Sequence, residues 1–401
     1  MKAIICGAGI AGLSLAQRLT TLNWDVVVLE RSPGPRSQGY MMDFFGPGYD
    51  AAEAMGVLPR MTELGYEFEE VSYVDGSGRR RAGLDYAQFR RLMNGRLLTI
   101  MRPDLELALR EHVLDDVDLR FGCSITQIEN SNDGVHVTLT DGTALNADLL
   151  VGADGIHSTV RRMVFGPEEQ FFRYLGFHTA AYHFDDPQIY QQVKDTFCLT
   201  DTTGRQMGLY GLRDGRIAVF TVHRAADPTL PEDAQAAVRQ AYSPLGWVVP
   251  RALAKCPESS EVYYDQVAQI EIPQWSRGRV TLLGDACQAV SLLAGQGASL
   301  AIAGAYVLGE QLASANSIDS ALTRYQELWQ PVITEKQQVA RRGIEWFLPS
   351  SSLRLWLRRI VLKLMKLPGL DRYFGTALVG KSNATIEELR GSNRESWVSA
   401  D

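Results

Sequence analysis

Three groups of glycines and acids in this chain have the residue types and spacing to hold a phosphorylated ligand. They are Gly7-Ala8-Gly9-Ile10-Ala11-Gly12, Gly152-Ala153-Asp154-Gly155, and Gly284-Asp285 with Gly295-Gln296-Gly297-Ala298 beyond it. In the first, Gly7 permits a tight turn, Gly9 lets the main chain approach a pyrophosphate, and Gly12 lets a helix pack close to a strand. The helix start adds free N–H groups and a positive dipole end. Glu30 follows Gly12 by eighteen residues, where a carboxylate binds an adenosine ribose 2′-hydroxyl and disfavours a 2′-phosphate. A bare glycine pattern is weak evidence, since any α/β turn can carry one.

The elements around the glycines strengthen the reading. Lys2 to Cys6 is a short apolar strand, Leu13, Leu15, Ala16 and Leu19 have helical spacing, and Val26 to Leu29 form a second apolar run that ends at Glu30. The second group follows the run Leu149-Leu150-Val151, with a helix expected near Ser158, so Asp154 is placed to accept hydrogen bonds at a ligand edge. Taken alone, Asp-Gly after a strand is usually a turn. The third group follows Arg279 to Leu283, and its glycines open another helix. Between these lie a loop over 33–48, a helix near Tyr49 to Met55, a strand near Val71 to Val74, a solvated charge run at Arg79 to Arg81, and a helix from Arg102. Strands are expected over 117–121, 125–129 and 135–140.

Composition sets outer bounds. The 401 residues, 45% hydrophobic and 22% charged, can build a large core in two or three domains. A net charge of −7 argues against nucleic acid as a partner. Cys6, Cys123, Cys198, Cys256 and Cys287 include no close pair, which points to reduced thiols in a cytoplasm. The chain opens on its strand and has no run of eighteen uncharged apolar residues, so neither secretion nor membrane spanning is expected.

The three motifs, in this order and at these separations, resemble the class A FAD-dependent monooxygenases, the 4-hydroxybenzoate hydroxylase type, with a pattern closest to the tetracycline-inactivating branch. The resemblance covers roughly residues 1 to 330. It implies an α/β fold: a Rossmann-like FAD-binding domain of the glutathione reductase type, an inserted antiparallel β-sheet substrate domain, and a C-terminal helical segment. Residues 1–70, 101–172 and 265–330 would form the first, 71–100 and 173–264 the second, and 331–401 the bridging helices. Gly7, Gly9, Ile10, Ala11 and Gly12 would hold the FAD pyrophosphate, and Glu30 with Arg31 the adenosine end. Arg36 and Arg102 match two arginines near the flavin. Asp154 and Gly155 belong to a motif serving both FAD and the nicotinamide cofactor, Gly284 and Asp285 would bind the ribityl or pyrophosphate part, and Gly295, Gln296, Gly297 and Ala298 would lie beside the isoalloxazine. The chain departs from the family pattern at Gln288 and Leu292, where a histidine and a proline are usual, and at Ser299, where an asparagine is usual.

The implied activity is hydroxylation of an aromatic, polyketide-like or other hydrophobic small molecule by molecular oxygen, through a flavin C4a-hydroperoxide, with NADPH or NADH as a transient donor. It calls for no catalytic side chain and no metal. No second strand–glycine–helix fingerprint or paired-cysteine motif supports a two-domain reductase. Gln206 to Leu212 and Arg216 to His223, joined by Arg213-Asp214-Gly215, read as a hairpin of the sheet that would roof the flavin. Tyr210, Phe220, His223 and Leu292 are candidate substrate contacts, although core aromatics and a surface histidine are equally good readings of the first three. A lipid-directed flavin reductase or dehydrogenase, and a FAD protein that sequesters an intermediate without turnover, are the alternative functions.

Residues 353–367 form a basic amphipathic helix with Leu353, Trp356, Leu357, Ile360, Leu364 and Leu367 on one face. Packing of that face across the two domains is favoured over peripheral contact with an anionic membrane. A monomer or homodimer is expected.

Overall fold

The buried, apolar Ala3, Ile4, Ile5 and Cys6 make the first strand a central one, covered on both faces. The computed structural model describes residues 1–36, 38–113, 116–292 and 295–364. In chain order the strands are β1 (Lys2–Cys6), β2 (Asp25–Glu30), β3 (Met41–Phe45), β4 (Glu70–Val74), β5 (Arg80–Asp85), β6 (Leu97–Met101), β7 (Asp118–Phe121), β8 (Ile125–Asn130) and β9 (Val135–Leu139). They continue with β10 (Ala144–Ala147), β11 (Leu149–Gly152), β12 (Phe172–Phe184), β13 (Thr196–Thr202), β14 (Arg205–Gly211), β15 (Ile217–Arg224), β16 (Tyr263–Ile270), β17 (Ser276–Arg277) and β18 (Val280–Leu282). The helices are α1 (Ile10–Thr20), α2 (Pro47–Ala54), α3 (Leu58–Glu63), α4 (Tyr86–Leu92), α5 (Arg102–Glu111), α6 (Thr159–Val164), α7 (Pro187–Val193), α8 (Ala234–Tyr242), α9 (Val249–Ala254), α10 (Asp285–Gln288), α11 (Gly297–Ser314), α12 (Ile318–Phe347) and α13 (Ser352–Leu364).

The α/β class expected from the motifs is the one observed. A six-stranded sheet runs in the order β17-β18-β11-β1-β2-β7, with every neighbouring pair parallel except β17–β18. Cys6 pairs with Leu29 and Gly152, and Gly152 with Leu282, so the chain leaves four adjacent strands at one edge. Ligands of open parallel sheets bind in the crevice at that edge. All three glycine motifs begin there.

A seven-stranded sheet, β16-β12-β15-β14-β13-β4-β5, forms the second layer system. Alternation along its strands decides which side chains look inward. Tyr210 is opposite Ala218, and Phe220 is two residues further along β15, so these share the face toward the parallel sheet. The other face carries Tyr182, Leu209 and Val219 and is covered by α7, α8 and α9. A two-stranded ribbon, β3–β6, lies between the two systems: Phe44 and Ile100 enter the main core, while Met41 and Met101 pack with Tyr210.

Two local readings are corrected. The loop expected over 33–48 contains β3, because Met41, Asp43 and Phe45 pair with Met101, Thr99 and Leu97. The charge run at Arg79 to Arg81 is exposed, as expected, and leads into β5, with Arg80 paired to Glu70 and Arg81 to Asp75, each at 2.6 Å. The second correction concerns the C-terminal helix. α13 is present, but Arg358 and Leu362 are its buried residues, while Leu353, Trp356, Leu357 and Leu364 are exposed. It docks by the side that carries Arg358, Arg359 and Leu362: Asp201, buried on β13, demands a countercharge and receives the two arginines, while Leu362 and Val361 pack near Ala82. Leu367 and the rest of 365–401 lie outside the described residues.

Candidate functional site

The first turn is built by close approach. Gly7 has φ +113°, and a Cβ there would lie within 3.0 Å of Asp154 Cα. A Cβ at Gly12 would reach 3.2 Å from Ile5 Cγ2 and would overlap the Gly7 carbonyl oxygen. Gly284, φ +61°, has the Ala11 Cβ 2.6 Å from where its own would stand. These three glycines weld the first, second and third motifs into one block. Gly9, Gly155, Gly295 and Gly297 differ: a Cβ at Gly9 would meet only Glu106 Oε1 at 3.9 Å, and nothing lies within 4 Å at the other three. Their open sides leave room for a ligand.

A cleft with about 930 Å³ of free space, mouth included, opens beside this block and is lined by Gly7, Gly9, Glu30, Arg31, Arg36, Arg102, Asp154 and Gly155 among others. Ile10, Ala11 and Gly12 form the helix start behind it, where the first intrahelical donor is Leu13 N–H to the Gly9 carbonyl at 3.0 Å, so the amides before it are available to an anion. Glu30 accepts from Ala8 N–H at 3.0 Å and Ser32 N–H at 2.9 Å. Burial pushes its carboxyl up, but those two amides and the Arg36 charge outweigh it and leave it below the usual range. Glu30 is therefore an anion at neutral pH, an acceptor for a ribose hydroxyl. Arg36, Arg102 and Arg110 offset the negative charge of Glu30 and Glu106 along the cleft.

Asp154 lines the cleft and at the same time braces α6. Its Oδ1 accepts from Ser158 Oγ, the N-cap of α6, at 2.5 Å and its Oδ2 from Thr159 N–H at 2.7 Å and Val160 N–H at 3.1 Å. Its place in the cleft wall follows from that anchoring. Arg161, fully buried and not singled out from the sequence, donates to Ala286 O at 2.9 Å, Ile156 O at 2.7 Å and Glu168 Oε2 at 2.9 Å, tying the second motif to the third.

Asp285 starts α10 and faces inner space that solvent reaches but protein surrounds. Crowding raises its carboxyl pKa, Arg102 opposes the rise, and Asp265 adds to it. Tyr40, Tyr263 and Arg102 share this surround: burial pushes the Tyr40 phenol up to about 12, and Arg102 pairs with Glu106 at 3.0 Å. Tyr40 in turn lies 5.3 Å from the Phe220 ring and 6.1 Å from that of Tyr263. β3 runs from this aromatic group to Phe45, whose carbonyl accepts from Ser299 Oγ at 2.5 Å at the start of α11. Midway along it, Asp43 Oδ1 accepts from Thr99 Oγ1 at 2.8 Å and Tyr86 Oη at 3.0 Å, and burial raises its pKa. Tyr40 and Asp43 are not legible as site residues from the sequence because Pro33 to Gly48 carries loop residues at both ends; the apolar Met41, Met42, Phe44 and Phe45 around Asp43 are the signal for β3.

With this geometry established, comparison with known proteins is decisive. A family model described as FAD binding domain matches residues 1–339. This chain belongs to that FAD-binding family. It is 33% identical over 319 residues to an uncharacterized protein of Mycobacterium tuberculosis, covering 78% of this chain and 85% of the other. It is 29% identical to a flavin-dependent monooxygenase of Legionella longbeachae, covering 84% and 87%. Among solved structures, tetracycline destructase Tet(51) matches with TM-score 0.77 and 26% identity over 92% of this chain and 99% of its own. A variant of Klebsiella pneumoniae HpxO complexed with FAD matches with TM-score 0.78 and 25% identity over 95% and 99%. The chain is an FAD-dependent monooxygenase of the aromatic hydroxylase type.

Within this monooxygenase the unusual residues are structural pegs. Gln288, in the position of the family histidine, is buried, accepts from Trp329 Nε1 at 2.9 Å and donates to Leu300 O at 3.2 Å, pinning α10 to α11 and α12. Ser299 accepts from Gly48 N–H at 3.0 Å besides donating to Phe45. Leu292 packs with Phe220 and Val222. Of the candidate substrate contacts, Phe220 faces Tyr40 and is joined by Leu292. Tyr210 is on the same face but sealed, its hydroxyl oxygen accepting from Met41 N–H at 2.6 Å. His223 is corrected: three residues beyond Phe220 it emerges on the opposite face, bonded to Tyr242 of α8 at 3.0 Å, and burial pushes its pKa down to about 4.

Proposed function

We propose that this monooxygenase puts one oxygen atom of molecular oxygen into an aromatic, polyketide-like or other hydrophobic small molecule, using NADPH or NADH as a donor that binds only transiently. The single observation that carries the proposal is Arg102, which lines the glycine-walled cleft and stands close to the phenols of Tyr40 and Tyr263 in the aromatic group with Phe220. When bound, FAD would supply the redox and oxygen chemistry. The amides at Ile10, Ala11 and Gly12 would bind its pyrophosphate, Glu30 its adenosine ribose, and Gly295 to Ala298 would leave space against its ring. Arg31, Arg36 and Asp285 would complete the cradle. Support for FAD comes from the open Cβ space at Gly9, Gly155, Gly295 and Gly297, which any side chain would fill.

The chain's own residues would then orient substrate. The aromatic rings offer flat apolar surfaces and exclude water. Asp43, already accepting from Tyr86 and Thr99, has a second oxygen able to accept from a phenol or enol hydroxyl and fix which carbon faces the flavin. The likeness to a tetracycline destructase favours a polycyclic, enol-bearing substrate.

The test is substrate-stimulated NAD(P)H oxidation by the FAD-loaded protein across a panel of phenols and polyketides under labelled oxygen. The expected product carries one labelled oxygen atom. Reduced or dehydrogenated product without label would refute the proposal, as would flavin that no nicotinamide cofactor reduces.

A further inference from the structure

The outward turn of α13 leaves an unusual surface. Seven large apolar side chains are exposed among the described residues, and four of them, Leu353, Trp356, Leu357 and Leu364, lie on this one helix. At roughly 100° per residue they fall with half-buried Ile360 into a single stripe about 100° wide. Lys363 borders the stripe on one side and Arg354 on the other, and residues 352–364 include no acid. Arg354 is half exposed and paired with Glu345 at 2.6 Å.

The helix cannot turn this stripe inward at low cost. Arg358 pairs with Asp201, both nearly inaccessible, stands 4.8 Å over the Tyr73 ring and donates to Phe347 O at 2.8 Å, while Arg359 reaches Asp201 at 2.7 Å. Rolling the helix would strand the Asp201 carboxylate without its cations, a severe penalty for a buried charge. Orientation is therefore set by the ion pairs, and the apolar stripe faces out as a consequence.

We propose that α13 seats this protein on an anionic membrane surface. The chemistry of the stripe selects that occupant: an apolar band with a tryptophan at the edge beside Lys363, and the Arg354–Glu345 pair on its other flank, matches the boundary between acyl chains and acidic headgroups. A second copy of the chain fits less well, because residues 352–364 offer no acid to meet the Lys363 of a paired stripe. Among the described residues no helix is long and apolar enough to cross a bilayer, so the contact is peripheral.

The full-length, FAD-loaded protein would be sedimented with phosphatidylglycerol–phosphatidylcholine vesicles and with neutral phosphatidylcholine vesicles. Binding to the anionic vesicles, at least tenfold weaker in Trp356→Glu and Leu357→Glu and about fivefold weaker in Lys363→Gln, is expected. Unchanged flavin content and thermal transition in these surface variants keep the comparison fair. Equal binding to neutral vesicles, equal binding by the variants, or no vesicle binding would overturn the proposal. So would a doubled mass in solution that Trp356→Glu returns to one chain, because the stripe would then join two copies.

Discussion

Replacing Gly9 and Gly284 separately by alanine should split two roles that a glycine motif ordinarily conceals. At Gly284 the backbone, φ 61° and ψ −148°, is in a region essentially reserved for glycine, and a side chain there costs on the order of 1–3 kcal/mol. The new Cβ would also stand 2.6 Å from Ala11 Cβ, against about 3.5–4.0 Å for ordinary carbon contact, so α1 and α10 must part by about 1 Å. Overpacking of that kind adds roughly 1–3 kcal/mol. Gly284→Ala should therefore lower apoprotein stability by about 2–6 kcal/mol. Gly9, with φ −83° and ψ −173°, is in extended space open to any residue, and its Cβ would meet no atom closer than 3.9 Å. Gly9→Ala should leave apoprotein stability within about 1 kcal/mol, yet fill the space left for the pyrophosphate. FAD affinity should fall at least tenfold, about 1.4 kcal/mol. Denaturant unfolding of the apoprotein and flavin fluorescence titration read the two effects independently. Wild-type FAD affinity in Gly9→Ala would refute the assignment of the cleft. Wild-type stability in Gly284→Ala would refute the welded junction of the first and third motifs.

Three further outcomes are expected. Protonated His157 donates through Nδ1 to Glu168 at 2.9 Å and through Nε2 to Asp265 at 3.4 Å; the Asp265 bond, against the pull of burial and with help from Glu168, raises its pKa to about 9 from 6.5. A raised histidine pKa stabilises the fold fully below about pH 6.5 and loses that contribution as pH climbs through 9, so the thermal midpoint should fall over that window and His157→Gln should flatten the fall. Asp201→Asn leaves Arg358 buried without its anion and should cost about 3–5 kcal/mol of stability, and chemical denaturation that shows less than about 1 kcal/mol would contradict the docking of α13. Gln288→Leu keeps the volume but strands Trp329 Nε1 and Leu300 O; a loss of about 1–3 kcal/mol, with near-wild-type flavin reduction in what remains folded, separates a peg from a flavin contact.

The parts of this protein that the sequence determines are those where chemistry is written into neighbouring residues. Gly7, Gly9 and Gly12 between an apolar strand and a helical period, with Glu30 at the next strand end, announce a nucleotide crevice because backbone space and a terminal carboxylate are local requirements. The hairpin of β14 and β15 is legible for the same reason: alternation and an Asp-Gly turn are short-range signals. Which face a residue occupies is a different matter. Phe220 and His223 are three positions apart on one strand, and only the stacking of the sheet between the ribbon β3–β6 and the helices α7 to α9 sends one to the aromatic chamber and the other to the outer layer. Asp154 reads from its sequence context as a ligand contact, and only the fold shows that the same carboxylate that lines the cleft also braces α6. The C-terminal helix shows the limit most clearly. Its apolar stripe is plain in the sequence and the burial of that stripe is the natural expectation, but a lone carboxylate more than 150 residues earlier, Asp201, captures Arg358 and Arg359 and turns the stripe to the outside. A hydrophobic period states which residues share a face; the cost of burying an unpaired charge elsewhere in the fold decides where that face points.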